Sequence, residues 1–361
     1  MLAAIGVSSL LRAPENLYEA ANVLGHLSVG FLILLWVGFL VHAKEGSIIE
    51  KEQIVTVFLL SNLPLSLVGI LLFIRPELES GWLSAIAGTL IEVDAAATAN
   101  NIQSIDRIGV VFMDANGASI FWGFSMWLAL WRQQTVQGLQ RAACLLLAII
   151  FFTNVLATGS RAGMMALFVT AIIFIGMMLH HTRRQQGRSR YVLMALPAAA
   201  AVIVLLVAGN PTGIVGSAIG RFTLLASNNL PESDSNRIIL FQHAAATIRQ
   251  APILGYGVVP FEKLGFPAGY PPHNMFLQCW IYGGVTAVSG LVLLFGAAFH
   301  QLFQQLKRSH DLWLPMVLLC WILIQSMFLN FIIGNFRIAM LLWLMVPLFL
   351  FSRQHVVHEN R

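Results

Sequence analysis

Residues 142–180 read AACLLLAIIFFTNVLATGSRAGMMALFVTAIIFIGMMLH, and one charge, Arg161, interrupts them. A helix that crosses a bilayer needs roughly 20 predominantly apolar residues. Two runs, about 142–158 and 162–180, approach that length and are joined by a turn of only a few residues. Such a hairpin suits lipid, because each helix satisfies its own backbone groups internally. The same pattern recurs at about 23–42, 53–74, 115–131, 191–209, 280–300, 312–331 and 335–352. The expectation is an all-α polytopic membrane protein with about nine transmembrane helices. The 361 residues then form one integral membrane domain, with a large, partly helical loop at about 210–272. The run at 81–91 is too short to cross and reads as interfacial.

Composition excludes an ordinary soluble protein. The chain is 58% hydrophobic and 10% charged, whereas soluble domains carry about 25% charged residues. The net charge of +5 reports orientation rather than a nucleic-acid partner, because the basic residues sit in short loops between spans. Arg132 and Arg141 stand in one such loop, Arg183, Arg184, Arg188 and Arg190 in another, and Lys307 and Arg308 in a third. With alternating spans all three loops fall on one side, the cytoplasmic one. The long connections 75–114 and 210–272 then lie outside, the first of them acidic (Glu77, Glu79, Glu92, Asp94, Asp106, Asp114). Cys144, Cys279 and Cys320 lie in or beside apolar runs and read as small buried hydrophobes. The amino end, MLAAIGVSSLLRAPENL, lacks a basic leader and reads as an interfacial segment or the stub of a span.

The stretch from Arg237 to Gly284 is the most polar part of the chain. Ser233, Asp234, Ser235 and Asn236 are expected to cap a helix over RIILFQHAAATIRQ. Pro252 and the glycines of Gly255-Tyr256-Gly257 are expected to stop it. The helix is expected to rest on the membrane surface, with Pro260, Pro267, Pro271 and Pro272 stiffening the return to His273.

Three kinds of residue can carry chemistry. An arginine at membrane depth is costly and faces a cavity, a partner or, by snorkelling, water. Arg161 stands at such a place beside Gly159, Ser160 and Gly163, which let a ligand approach the backbone. Arg107, Arg221, Arg237, Arg249 and Arg337 map to the same outer side, and arginine grips phosphate oxygens in a fork. His273 sits where the loop re-enters the membrane, followed by Asn274. Imidazole is suited to general-base work near neutrality, although a histidine at a helix start also serves as an interfacial residue. No HExxH, GxSxG or nucleotide-phosphate loop occurs. An arginine cluster supplies electrostatically what a metal would otherwise give a diphosphate.

Four pieces, in order, resemble the O-antigen ligase and polymerase family of bacterial polysaccharide assembly. They are DRIGVVFMDANG (106–117), TGSRAG (158–163), NRIILFQHAAATIRQAPILGYG (236–257) and HNMFLQCWIYGG (273–284). The resemblance implies a helical membrane glycosyltransferase (GT-C-like) fold in the bacterial inner membrane, with a periplasmic active face. It implies an undecaprenyl-diphosphate-linked glycan donor, a lipid A core or glycan acceptor, and neither metal nor cofactor. Carried over residue by residue, it makes His273 the base, with Arg161 and Arg237 binding the donor diphosphate. Arg221 is a weaker match in the same role, and Ser160 and Asn274 support the site. The chain departs from the ligase pattern at one point, Ala287, which stands three residues after Gly284.

Two other readings stay open at this level. A polymerase differs from a ligase in its acceptor, another glycan repeat instead of lipid A core. A lipid-linked glycan flippase or other transporter would place its polar groups near the bilayer midplane, often in two related halves. No internal repeat is visible here, and the arginines gather on one side.

Overall fold

The computed structural model describes residues 1–16, 51–75, 115–182, 232–306 and 313–329, with a few isolated positions beside them. Among these residues the secondary structure is helical, without strands. The helices are α1 (Leu2–Arg12), α2 (Lys51–Ile74), α3 (Ala115–Thr135), α4 (Gly138–Ala157) and α5 (Arg161–Thr182). They continue with α6 (Glu232–Gln250), α7 (Met275–Leu306) and α8 (Trp313–Ser326). Among the described residues three stretches, Glu52–Leu72, Gly138–Ala157 and Met275–Gln304, are long and apolar enough to cross a membrane. The expected spans at 23–42, 191–209 and 335–352 lie outside the described residues.

The chain divides into two compact units. The first joins Met1–Ile54, Leu240–Pro315 and Asn330–Arg361; the second joins Val55–Ile239 and Met316–Leu329.

In the second unit α3 is the hub. Ala118, Ile120, Trp122, Phe124, Trp127, Leu128 and Ala129 are all buried, because this helix is apolar around most of its circumference and touches neighbours on several sides. Trp122 stacks on Phe151 of α4 at 5.9 Å, and Phe58 of α2 meets Phe121 at 6.1 Å. Trp127 lies 5.5 Å from Phe174 of α5. Gly123 lets the indole of Trp321 of α8 lie against the α3 backbone, where any side chain would clash. That indole donates to the Ile120 carbonyl at 3.2 Å. Close approach at small residues and hydrogen bonds between helices hold spans together where lipid supplies no hydrophobic drive. Asn154 of α4 gives a second such bond, its Nδ2 donating to the Ser66 carbonyl of α2 at 3.2 Å, worth about 0.6 kcal/mol in lipid.

Polar contacts fix which ends meet. Arg132, near the end of α3, donates to Thr56 Oγ1 near the start of α2 at 2.9 Å. Arg141, at the start of α4, donates to Gln133 Oε1 at 3.0 Å. The basic loop residues 132 and 141 therefore share one end of this unit. The start of α3, the end of α4 and the start of α5 share the other. Much of α2, α4 and α5 faces outward as bare hydrocarbon, with Val57, Leu146 and Phe168 exposed. A soluble monomer does not display faces of that kind.

In the first unit α1 packs against α7. Ile5 lies against Gly283, and Met1 lies beside Gly290 and Cys279. Cys279 is a buried free thiol, as is Cys144 in the second unit, whereas Cys320, also in the second unit, is only half-buried. α7 is broken inside, at Gly283 and Gly284. The expected span at 280–300 thus begins five residues earlier and carries a kink. The loop helix α6 also begins earlier than expected: Ser233–Asn236 lie within its first turn instead of capping it. It ends at Gln250, one residue before the Ala251-Pro252 step.

Candidate functional site

Each unit holds candidate residues at its helix ends. In the second, Thr158-Gly159-Ser160 turns α4 into α5. Thr158 Oγ1 donates to the Val155 carbonyl at 2.7 Å and accepts from the Ser160 amide at 3.2 Å. Ser160 is the N-cap of α5: its Oγ accepts from the Gly163 amide at 3.1 Å. The same hydroxyl donates to Asn116 Oδ1, at the start of α3, at 2.8 Å. Gly163 and Ser119 are in close contact across the two helices. The N-termini of α3 and α5 are thereby fastened side by side, with Arg161 as the first residue of α5. Two positive dipole ends and a guanidinium at one corner make a surface suited to phosphate oxygens.

In the first unit, His273 follows Pro271 and Pro272 and precedes α7. Its φ of 47° makes it the one non-glycine residue with a left-handed backbone among those described. Histidine tolerates that region better than most residues, yet the conformation still costs energy and concentrates at functional positions. Asn274 caps α7, its Oδ1 accepting from the amides of Phe276 at 3.0 Å and Leu277 at 3.1 Å. One turn on, Gln278 Nε2 donates to Tyr282 Oη at 3.1 Å. Tyr282 packs on Phe261, 5.7 Å between ring centres, and Phe261 packs on Phe266 at 5.0 Å. His243 of α6 lies exposed, 6.0 Å from Phe266.

The returning loop is locked onto the break in α7. At the kink the carbonyls of Ile281 and Tyr282 accept from the amides of Tyr256 (2.7 Å) and Gly257 (2.9 Å). The Val285 amide donates in turn to the Pro252 carbonyl at 2.9 Å, which also accepts from Trp280 Nε1 at 3.0 Å. Gly284 has a φ of 65° and sits against the Ile253 carbonyl, so only glycine fits. From the other side, Ser9 Oγ donates to the Ile5 carbonyl at 2.8 Å and accepts from the Val258 amide at 3.0 Å. The loop that leads to His273 is therefore held by α1 and α7 together.

Of the residues expected from sequence, Ser160 and Arg161 stand together in the second unit, and His273 and Asn274 adjoin in the first. Arg237 lies early in α6, half-buried. Arg221, Arg107 and Arg337 lie outside the described residues. Sequence reading missed Asn116, although the first quoted piece contains it, and it missed the pair Gln278 and Tyr282. An asparagine just inside an apolar helix and a glutamine one turn from a histidine were the available signals. Among the described residues no group of three or more His, Cys, Asp or Glu is gathered as metal ligands would be.

Residues 146–295 match the family model described as O-antigen ligase. This segment belongs to the O-antigen ligase family. The match takes in all six residues singled out for the site, Ser160, Arg161, Arg221, Arg237, His273 and Asn274. No curated protein matches the chain. The match over this segment and the apolar helices together support a membrane enzyme of the O-antigen ligase/polymerase type.

Proposed function

We propose that the chain transfers a glycan from an undecaprenyl-diphosphate-linked donor to an acceptor hydroxyl at the periplasmic face of the bacterial inner membrane. The acceptor on this reading is lipid A core, making the protein an O-antigen ligase. The observation that carries the reading is His273: a partly exposed imidazole in a strained backbone conformation, within the family segment, directly before a capped helix.

In the proposed reaction the donor diphosphate lies against Arg161 and Arg237, with Arg221 beside them and Ser160 fixing the start of α5. The acceptor hydroxyl gives its proton to the neutral imidazole of His273. Its oxygen attacks the anomeric carbon from the face opposite the diphosphate, and the bond from that carbon to the diphosphate oxygen breaks. Undecaprenyl diphosphate leaves with the electron pair as an anion, and its charge is stabilised by guanidinium groups as a preorganised site stabilises developing charge. A single displacement inverts the anomeric centre. No step requires a metal or a cofactor. The convergence of the two arginines with His273 is part of this proposal.

A polymerase reading, with another lipid-linked repeat as acceptor, has one observation in its favour. The ligase pattern gives way at Ala287, which is fully buried and packs against Gly283. The test is reconstitution in liposomes with the lipid-linked glycan donor and, in separate assays, lipid A core or a second donor molecule. Glycan on lipid A core marks the ligase; lengthened lipid-linked glycan marks the polymerase. Donor carried across the bilayer chemically unchanged would replace both readings with transport.

A further inference from the structure

Gln278 is an anomaly in an apolar helix. Its side chain is 3% exposed, and its Oε1 is buried with no hydrogen-bond partner among the described residues. Its Nε2 is held by Tyr282 Oη. Turning the amide over lets Tyr282 donate to Oε1 and orphans Nε2 instead, so in either orientation one half of the amide is left over. A buried amide with an unmade bond is costly, and an apolar side chain of the same shape would be the more stable choice. Buried groups of this kind call for an explanation, and a functional role is one.

Position supplies the explanation. Gln278 follows the cap Asn274 by one turn, its backbone amide donating to the Asn274 carbonyl at 3.0 Å. His273 precedes that cap, five residues before Gln278 in the chain. The side chain is aimed by Tyr282, itself wedged on Phe261, so its rotamer is fixed before any ligand arrives. Such a preset group suits orientation of a substrate better than a mobile one does.

We propose that Gln278 is a specificity-determining residue that accepts, through Oε1, a hydrogen bond from a second hydroxyl of the acceptor sugar whose first hydroxyl faces His273. This rests on the glycosyl-transfer reading above. Tyr282 is then the positioning residue that holds the amide. Donor binding does not involve the pair.

The test uses the full chain in liposomes, with transfer measured against lipid A core and, separately, against a lipid-linked repeat. In Gln278→Met the KM for the acceptor rises about tenfold, as expected for one lost hydrogen bond, while the KM for the donor and the melting temperature do not fall. An unchanged acceptor KM with a raised melting temperature makes Gln278 a structural orphan and overturns the proposal. A fall in kcat with the acceptor KM unchanged overturns it equally. Should Gln278→Met fail to insert, Tyr282→Phe carries the test. It frees the amide without removing it and raises acceptor KM about threefold, a weaker loss of the same bond; no change there overturns the proposal. Absence of any transfer by the wild type removes the glycosyl-transfer reading and this one with it. Transfer by the wild type with an indifferent Gln278→Met removes this one alone.

Discussion

Ser160 Oγ donates to Asn116 Oδ1 at 2.8 Å while accepting from the Gly163 amide. One hydroxyl thus caps α5 and ties it to the start of α3, beside Arg161. The corner is held by buried groups: Ser160 and Thr158 are almost wholly inaccessible.

Removing that hydroxyl should be felt in stability first. Ser160→Ala loses the cap, a cost of about 1 kcal/mol, and removes the hydroxyl that donates to Asn116 Oδ1. Asn116→Ala should cost a similar amount, and the double variant less than the sum, because the two residues share one bond. Thermal melts of the four proteins in detergent read this directly. Strict additivity would show that the bond contributes nothing to the fold.

His273 should separate backbone strain from chemistry. With φ at 47°, a Cβ at this position is unfavourable by about 1–2 kcal/mol. His273→Gly should therefore be more stable than His273→Ala. Both should lose roughly 10²–10⁴-fold in transfer rate if the imidazole is the base. Wild-type rates in a folded, inserted His273→Ala would take the residue out of the mechanism.

Gly284 should tolerate no side chain. Its left-handed φ of 65° and the Ile253 carbonyl against it leave no room for a Cβ. Gly284→Ala is expected to cost about 1–3 kcal/mol and to loosen the strap of residues 252–257 from the kink in α7. Faster amide exchange at Tyr256 and Gly257, whose N–H groups bond to Ile281 and Tyr282, is the specific signature. Unchanged exchange with a lowered melting temperature would place the damage elsewhere.

Ser9 tests whether α1 braces the loop. Ser9→Ala leaves the buried Val258 amide without its acceptor, at about 1–3 kcal/mol. Ser9→Thr, which keeps the hydroxyl, should recover part of the loss. Limited proteolysis within 251–274 should be faster in Ser9→Ala than in the wild type. Equal rates would mean that α7 alone holds the loop.

Much of the architecture was legible before any fold was in view. Apolar runs at 53–74, 115–131, 142–158 and 162–180 each became a helix, within a few residues of the expected bounds. The turn at Ser160 was legible too, since a serine before Arg161 and two apolar runs leave few other conformations. Where the reading slipped, the cause was local. Ser233–Asn236 looked like a cap set and became a first turn, because the same residues suit both places. The kink at Gly283 and Gly284 was hidden inside a continuous apolar run.

The sequence by itself determined that this chain is helical and built for lipid, and which short loops carry the basic charge. Those are properties of residues near each other in the chain: hydrophobic length and the sign of neighbouring side chains. Only the tertiary structure decided that Asn116 would meet Ser160, that Ser9 would hold Val258, and that residues 252–257 would zip onto a broken α7. Each is a contact between distant parts of the chain, made when helices cross at one particular depth and rotation. Many apolar sequences could span the same bilayer, but the geometry of the crossing selects which polar groups are left facing one another.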